Sequence, residues 1–570
     1  MKCDILFTNC NLFSSSFRLF FHGFFAISGK YITRIGIGNP PDTITADKTI
    51  DLENRFVIPG LIDVHMHIES SMLTPQAYAY EAIRHGVTTV VSEPHEIANV
   101  FGVRGIEAMM KAGENSPIDI YYGIPSCVPS TSSELETAGC EIGVAEVEEL
   151  LKYEDIKCLG EVMNTKSVLS EPDGKTNRLI RAFHEKAPAL PLEGHVPRIV
   201  GDDLAEYMMS GIDSDHTEHP LSELIDRWLN GFCVQLQEKT VQPDIIAYLN
   251  EHELFNNTCL VTDDVMADEM VEVGILDHVL RKALSYGMDL KDAVYCCTFT
   301  PASRMKLFDR GELRPGKLAD FVILEDDEQF EILSTYKEGI CVYTKGDEPV
   351  STVATDAFPE DFWDSVKCSS LYESNFVIHT DREGLVSVRA VKVDPTKTHT
   401  EEVELVLEAK DGELNFEDST ACQMAVFERH GINGNVGQGL VIGTTLKRGA
   451  IATTYSHDSH NLCVLGTNKA DMASAANLVI GMHGGIAVVE NGNTVAAAAL
   501  PIAGILTDKT CQQFAEDISK VTAAMKDMGY THVDPIMSFC TLALPVSPQL
   551  KITDFGYVDV SKQEILPIEI

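Results

Sequence analysis

Apolar residues are spaced in two different ways along this chain. Up to about residue 56 they fall in short alternating or continuous runs, at 3–7, 19–27 and 31–37, and Ser28-Gly29-Lys30 supplies a hairpin turn between the last two. From residue 57 onward, apolar runs of strand length alternate with helical patterns. One unit shows the logic: 61–65 is a short apolar strand, and Thr74-Pro75 starts a helix with a capping hydroxyl and a proline at its first position. That helix ends near His85 with Gly86 closing it, and 87–92 is the next strand. Strand, helix, strand in this order favours a parallel sheet. Further strands are predicted at 118–124, 156–161, 190–195, 211–216, 232–236 and 259–263. Eight such units predict an α/β fold built on a (β/α)8 TIM-type barrel, whose functional groups gather at the C-terminal strand ends. Its last helix is expected over 268–285, where Met270, Val273, Leu276, Leu280 and Ala283 form one apolar stripe. The turn and strand at 313–324 are expected to return to the N-terminal strands. The predicted organisation is therefore a small composite β-sandwich domain (1–57 plus 305–350), a metal-binding barrel (58–304) and a C-terminal α/β domain (351–570) reached through a linker rich in Asp, Glu, Pro and Ser.

Composition narrows the partners more than the fold. With 44% apolar and 23% charged residues over 570 positions, the chain reads as globular. Lys and Arg total 44 against 86 Asp and Glu, a net charge of −42, which repels phosphate backbones and anionic lipid. No nucleic acid and no membrane is expected as partner. Fifteen widely spread cysteines without a CxxC pair fit a reducing cytoplasmic location. The Phe-rich start carries Asp4 and lacks the order of a signal peptide. The longest apolar run, 495–506, is too short to span a bilayer and contains Pro501 and Gly504.

His65-Met-His67 is the strongest local signal for chemistry. On a strand, residues i and i+2 face the same side, so both imidazoles point together into the barrel mouth, where two nitrogen ligands suit a divalent transition metal. Other strand ends carry Glu161, His195, His216 and Asp263. Glu93-Pro-His95-Glu96 follows the second strand and can reach the same mouth. His457-Asp458-Ser-His460, in the C-terminal region, reads either as a metal or substrate contact closing over the site or as a polar loop held by its own hydrogen bonds. Ser70 and Asn99 suit helix capping as well as they suit the site.

The order of "PGLIDVHMHIESS", "GEV", "EGHVP", "SDH" and "TDD" resembles the amidohydrolase superfamily and, within it, the adenine deaminases. "SEPHEIANVFG", "LKRGAIATTYSHDSHNLCVLGTN", "LPIAGILTD" and "ALPVSPQLKITDFGYVDV" extend the resemblance over nearly the whole chain. The resemblance implies two divalent transition-metal ions, manganese or iron with zinc as a further option. His65 and His67 would hold one and His195 and His216 the other, with Glu161 bridging and Asp263 both ligating and moving protons. It implies substrate contacts from Glu93, His95 and Glu96, and hydrolysis of adenine to hypoxanthine and ammonia in purine salvage. Large two-domain barrel enzymes are often dimers or more, so a homodimer or larger assembly is expected. Four positions depart from the family's usual residues: Glu93 for Asp, Arg198 for a small residue, and Gln237 and Val265 for arginines. They leave other substrates open: an N6-substituted adenine, 2-hydroxyadenine, a pterin or a cyclic amide.

Overall fold

The computed structural model describes residues 1–326, 329–350 and 352–570. Eight short strands form the barrel: β1 (Leu61–Met66), β2 (Val87–Ser92), β3 (Asp119–Ile124), β4 (Ile156–Val162), β5 (Leu192–Gly194), β6 (Ser214–Asp215), β7 (Cys233–Leu236) and β8 (Thr258–Leu260). β1 to β5 pair in parallel in chain order, as do β6 to β8. Every residue of β1 and β2 is buried, as parallel strands covered on both faces must be. Side chains join β5 to β6: Gly194 N donates to Ser214 Oγ at 3.2 Å, and Val196 N to Asp215 Oδ1 at 3.2 Å. The ring closes from β8 to β1 through Asp263, whose N–H donates to His65 O at 3.0 Å. The expected strands 190–195, 211–216 and 259–263 are shorter in the structure, so His195, His216 and Asp263 stand just past their strand ends rather than on them.

The helix after β1 forms as its signals predict. Thr74 Oγ1 accepts from Ala77 N, Pro75 begins the helix Pro75–Ala82, and a 3-10 turn Ile83–His85 ends at Gly86 with φ +75°. The single helix expected over 268–285 is instead two, Ala267–Glu272 and Leu276–Ser285. Gly274 breaks it with φ +108°, a conformation L side chains rarely adopt, and an added Cβ there would meet Asp277 Oδ1 at 2.6 Å. The break also rotates Val273 out of the expected stripe, leaving it 48% exposed.

Phe321–Leu324 pairs antiparallel with Phe56–Pro59, and both belong to one eight-stranded sheet with the N-terminal strands. The long strand Lys2–Ser14 divides: its first half pairs with Thr45–Asp51, and its second half reaches Phe56–Pro59. Phe7 stacks on Phe25 at 4.5 Å, and Phe321 stacks on Tyr336 at 4.3 Å.

Beyond residue 384 the chain forms a nine-stranded sheet. The helix Cys511–Asp527 packs between this sheet and the barrel helix Ala267–Glu272. The apolar core is continuous across that junction, from Ala77 and Ile97 through Cys511 and Phe514 to Val488, so the C-terminal region is built onto the barrel. No helix among the described residues is long and apolar enough to cross a membrane.

One largely buried ion pair ties the turn after the first barrel helix to the helix Leu276–Ser285. His85 Nδ1 lies 3.1 Å from Asp277 Oδ2. Burial pushes the imidazole down, but Asp277 and Glu81 more than offset it and lift His85 to about 9, while the same contacts hold Asp277 at about 2. His85 is raised, so its contribution is complete below the ordinary imidazole value and is lost as pH rises through about 9. Asp277 is lowered, so its share is complete above the ordinary carboxylate value and is lost as pH falls through about 2. His85→Gln is therefore expected to cost about 1.5–3 kcal/mol at pH 6 and much less above pH 9.5. Thermal unfolding of both proteins at the two pH values checks this, and an equal penalty at both would contradict it.

Candidate metal centre

Because β1 alternates its side chains, His65 and His67 present their rings to the same region, with centroids 5.1 Å apart. Glu161, near the end of β4, places one carboxylate oxygen toward each half of the site. Oε2 lies 2.8 Å from His195 Nδ1 and 3.3 Å from His216 Nε2, and Oε1 lies 3.5 Å from His67 Nε2. Asp263 Oδ1 is 3.6 Å from His65 Nε2 and 3.4 Å from His67 Nε2. The six side chains predicted from the strand ends are thus brought to one place. His65, His67, Glu161 and His216 are buried, while the side chains of Asp263 and His195 keep 15% and 29% exposure and mark the open side.

The donor set fits divalent cations. His195 Nδ1 and His216 Nε2 face each other at 3.1 Å, and the buried His65 Nε2 has no hydrogen-bond partner. Leaving buried lone pairs unsatisfied costs about 1–3 kcal/mol each, and a cation shared between them satisfies several at once. Four imidazoles and two carboxylates are ligands for a borderline transition metal. Burial pushes the Glu161 carboxyl up, but His195 and His216 more than offset it and hold it well below the usual carboxylate range. Asp263 is likewise pushed up by burial and held well down by His65, His67 and His216.

Several residues that the sequence reading passed over hold these side chains in place. Asp215, buried one position before His216, accepts from Arg227 Nε, from Thr217 N at 3.0 Å and from Val196 N at 3.2 Å, and it contacts His219 Nε2 at 2.8 Å. Burial pushes this carboxyl up, and His219 and Arg227 more than offset it, keeping it far below its ordinary range. Arg227 also reaches Val196 O, so one buried network fixes the segments that carry His195 and His216. Asp63 accepts from Thr262 Oγ1 at 2.5 Å and from His65 N at 3.3 Å, joining β1 to the segment that carries Asp263. His67 Nδ1 meets the Glu93 carbonyl at 3.0 Å, which leaves Nε2 for the site. The signal for Asp215 was its alternation with His216 in "SDH", an acid on the opposite face of a strand end.

The remaining expected residues surround this centre. Glu93 turns its carboxyl into the barrel wall: an added Cβ on Gly160 would fall 1.7 Å from Glu93 Oε2, and one on Gly123 would fall 2.5 Å from it. Those two glycines make the room that the extra methylene needs, and burial pushes the carboxyl up to about 8. His95 Nδ1 is 3.6 Å from Glu161 Oε1. Glu96 is fully buried and accepts from His460 Nε2, with His457 Nδ1 2.6 Å away, so the His457–His460 segment reaches the barrel. Arg429, entirely buried, holds that segment by donating to His460 O and Ala503 O. Ser70 donates to Asp264 at 2.5 Å and lies 3.2 Å from Tyr455 Oη, and Asn99 Nδ2 donates to His95 O at 2.9 Å within the helix rather than capping it. Of the departures, Gln237 donates to His216 O at 2.9 Å, Arg198 faces His399 at 3.2 Å on the exposed side, and Val265 packs on the core.

Comparison with known proteins places this geometry in a family. A model of the amidohydrolase family matches residues 56–342, and a model of the adenine deaminase C-terminal domain matches 397–564. The chain is 44% identical over 569 residues to adenine deaminase 2 of Shouchella clausii, covering 100% of this chain and 99% of that one. It is 44% identical to an adenine deaminase of Clostridium perfringens, covering 100% of both chains. It is 38% identical to an adenine deaminase of Lactobacillus delbrueckii subsp. bulgaricus, covering 100% of this chain and 99% of that one. This chain belongs to the adenine deaminase family. It is a hydrolase of the amidohydrolase superfamily, whose members use divalent metal ions. In this adenine deaminase family member, Asp215→Asn is expected to weaken binding of manganese about 10–100-fold by releasing the segments behind His195 and His216. Competition against a chelator measures it, and an unchanged affinity would contradict the positioning role.

Proposed function

We propose that this protein deaminates adenine hydrolytically, adenine and water giving hypoxanthine and ammonia, in cytoplasmic purine salvage. The observation that carries the proposal is the Glu161 carboxylate shared between imidazoles on its two sides. His65 and His67 would hold one divalent cation and His195 and His216 a second, with Glu161 and Asp263 offering carboxylate ligands. Manganese or iron is the expected metal, with zinc as a further option. Bound divalent cations lower the pKa of water toward neutrality and so supply a nucleophile for the ring carbon that bears the amine. Asp263, held ionised on the open side, accepts the proton of the attacking water and passes it to the departing amine. Glu161 assists protonation of the adjacent ring nitrogen.

Glu93, His95 and Glu96 line the substrate side, Glu93 from within the wall, and the His457–Asp458–His460 segment covers the mouth. A mouth covered in this way favours a small planar base over a polymer, in keeping with an acidic protein that avoids nucleic acid and membranes. We assign residues 1–57 plus 305–350 to the composite β-domain, 58–304 to the barrel and 351–570 to the C-terminal domain, in a homodimer or larger assembly.

The manganese- or iron-loaded protein should release ammonia from adenine and form hypoxanthine, and chelation should abolish this reversibly. Glu161→Gln and Asp263→Asn should each lower the rate about 10²–10⁴-fold with melting behaviour retained. Full turnover in either variant would overturn its assigned role. Ammonia released from a pterin, 2-hydroxyadenine or an N6-substituted adenine but not from adenine, or opening of a cyclic amide without ammonia, would overturn the substrate.

A further inference from the structure

A second buried group of ligand-type side chains lies where the C-terminal region meets the barrel. His95 and Glu96 open the helix His95–Gly113 after β2, and His457 and Asp458 come from the segment that closes over it. Their exposures are 3% for His95, 0% for Glu96, 5% for His457 and 1% for Asp458. Four ligand atoms, one from each, lie within 4.8 Å of one another. His95 Nε2 is 3.5 Å from Glu96 Oε1 and 3.9 Å from Asp458 Oδ1. His457 Nδ1 is 3.6 Å from Asp458 Oδ1 and 2.6 Å from Glu96 Oε1. A tetrahedral cation with bonds of about 2.1 Å separates its ligands by about 3.4 Å, so three of these four separations already approach that spacing.

The hydrogen bonding of the group is incomplete: His95 Nδ1, His457 Nε2 and Asp458 Oδ2 are buried without a partner. Glu96 Oε2 is occupied by His460 Nε2, which orients the carboxylate with Oε1 toward His457. Glu96 Oε1 is paired with His457 Nδ1 at 2.6 Å, a contact a cation would have to replace. Two carboxylates in so dry a place are costly unless matched by positive charge. Burial pushes His95 and His457 down, but Glu96 more than offsets it, so both supply that charge as imidazolium. One divalent cation would neutralise both carboxylates in place of those protons. Two nitrogens and two oxygens from neutral imidazoles and carboxylates suit a transition metal of the zinc or manganese type.

We propose that His95, Glu96, His457 and Asp458 bind a third divalent transition-metal ion, separate from the pair at Glu161. This cation clamps the C-terminal segment onto the barrel. It also fixes His95 with Nε2 toward the metal and the Nδ1 proton toward Glu161, 3.6 Å away. His95 then presents a permanent donor to the hydrolytic centre, which refines its place on the substrate side.

Metal counting on the whole protein tests this directly. Protein loaded with manganese and dialysed to remove weakly held ions should carry three equivalents per chain by elemental analysis. Asp458→Asn and His457→Gln should each carry two, with circular dichroism showing a folded chain. Glu161→Gln should lose manganese from the other site and keep the equivalent that Asp458→Asn loses. A wild-type count of two that Asp458→Asn leaves unchanged would overturn the proposal, and the wild-type count decides even if both variants fail to fold. Weaker adenine binding by Asp458→Asn with an unchanged metal count would also overturn it, making the group a purine subsite. A single equivalent retained by Glu161→Gln and lost by Asp458→Asn would uphold this third site while removing the two-metal reading at Glu161.

Discussion

One buried carboxylate organises the barrel mouth. Glu161 is 2% exposed and lies within 3.5 Å of nitrogens from His67, His195 and His216. An ionised carboxylate is held there only if its surroundings supply compensating positive charge and do not relax away from it. Much of the surrounding architecture meets that requirement. Asp63 ties β1 to the Asp263 segment, Asp215 and Arg227 tie the segments behind His195 and His216 to each other, and the Glu93 carbonyl turns His67 toward the centre. The ring closes from β8 to β1 at Asp263, so the closing contact of the barrel is also a wall of the site.

The C-terminal region is part of the same design. Its core is continuous with that of the barrel, and the buried guanidinium of Arg429 pins the segment that brings His457, Asp458 and His460 against Glu96. A site closed on one side by a second region can exclude water without a large moving lid, and that suits chemistry whose reactive species is itself an activated water.

Much of this was legible in the sequence, for identifiable reasons. His65 and His67 could be placed together because alternation along a strand is a local rule, and Glu161, His195, His216 and Asp263 followed because each trails an apolar run. The Thr74-Pro75 start and Gly86 stop of the first helix were equally local. What stayed hidden depends on packing. Nothing in the spacing of 268–285 shows that Gly274 adopts φ +108° and splits the helix. Gln237, in a position where the family resemblance suggests arginine, supports the His216 carbonyl rather than leaving a gap, and the extra methylene of Glu93 is absorbed by Gly123 and Gly160 on neighbouring strands. Contacts such as His460 with Glu96, separated by hundreds of residues, need the whole fold before they can be seen.

If two cations share Glu161 at the C-terminal ends of the barrel strands, diffraction from manganese-loaded crystals at the manganese absorption edge will show them. Two anomalous peaks are expected beside the Glu161 carboxylate, one toward His65 and His67 and the other toward His195 and His216. A single peak, or none within bonding distance of Glu161, would contradict that sharing.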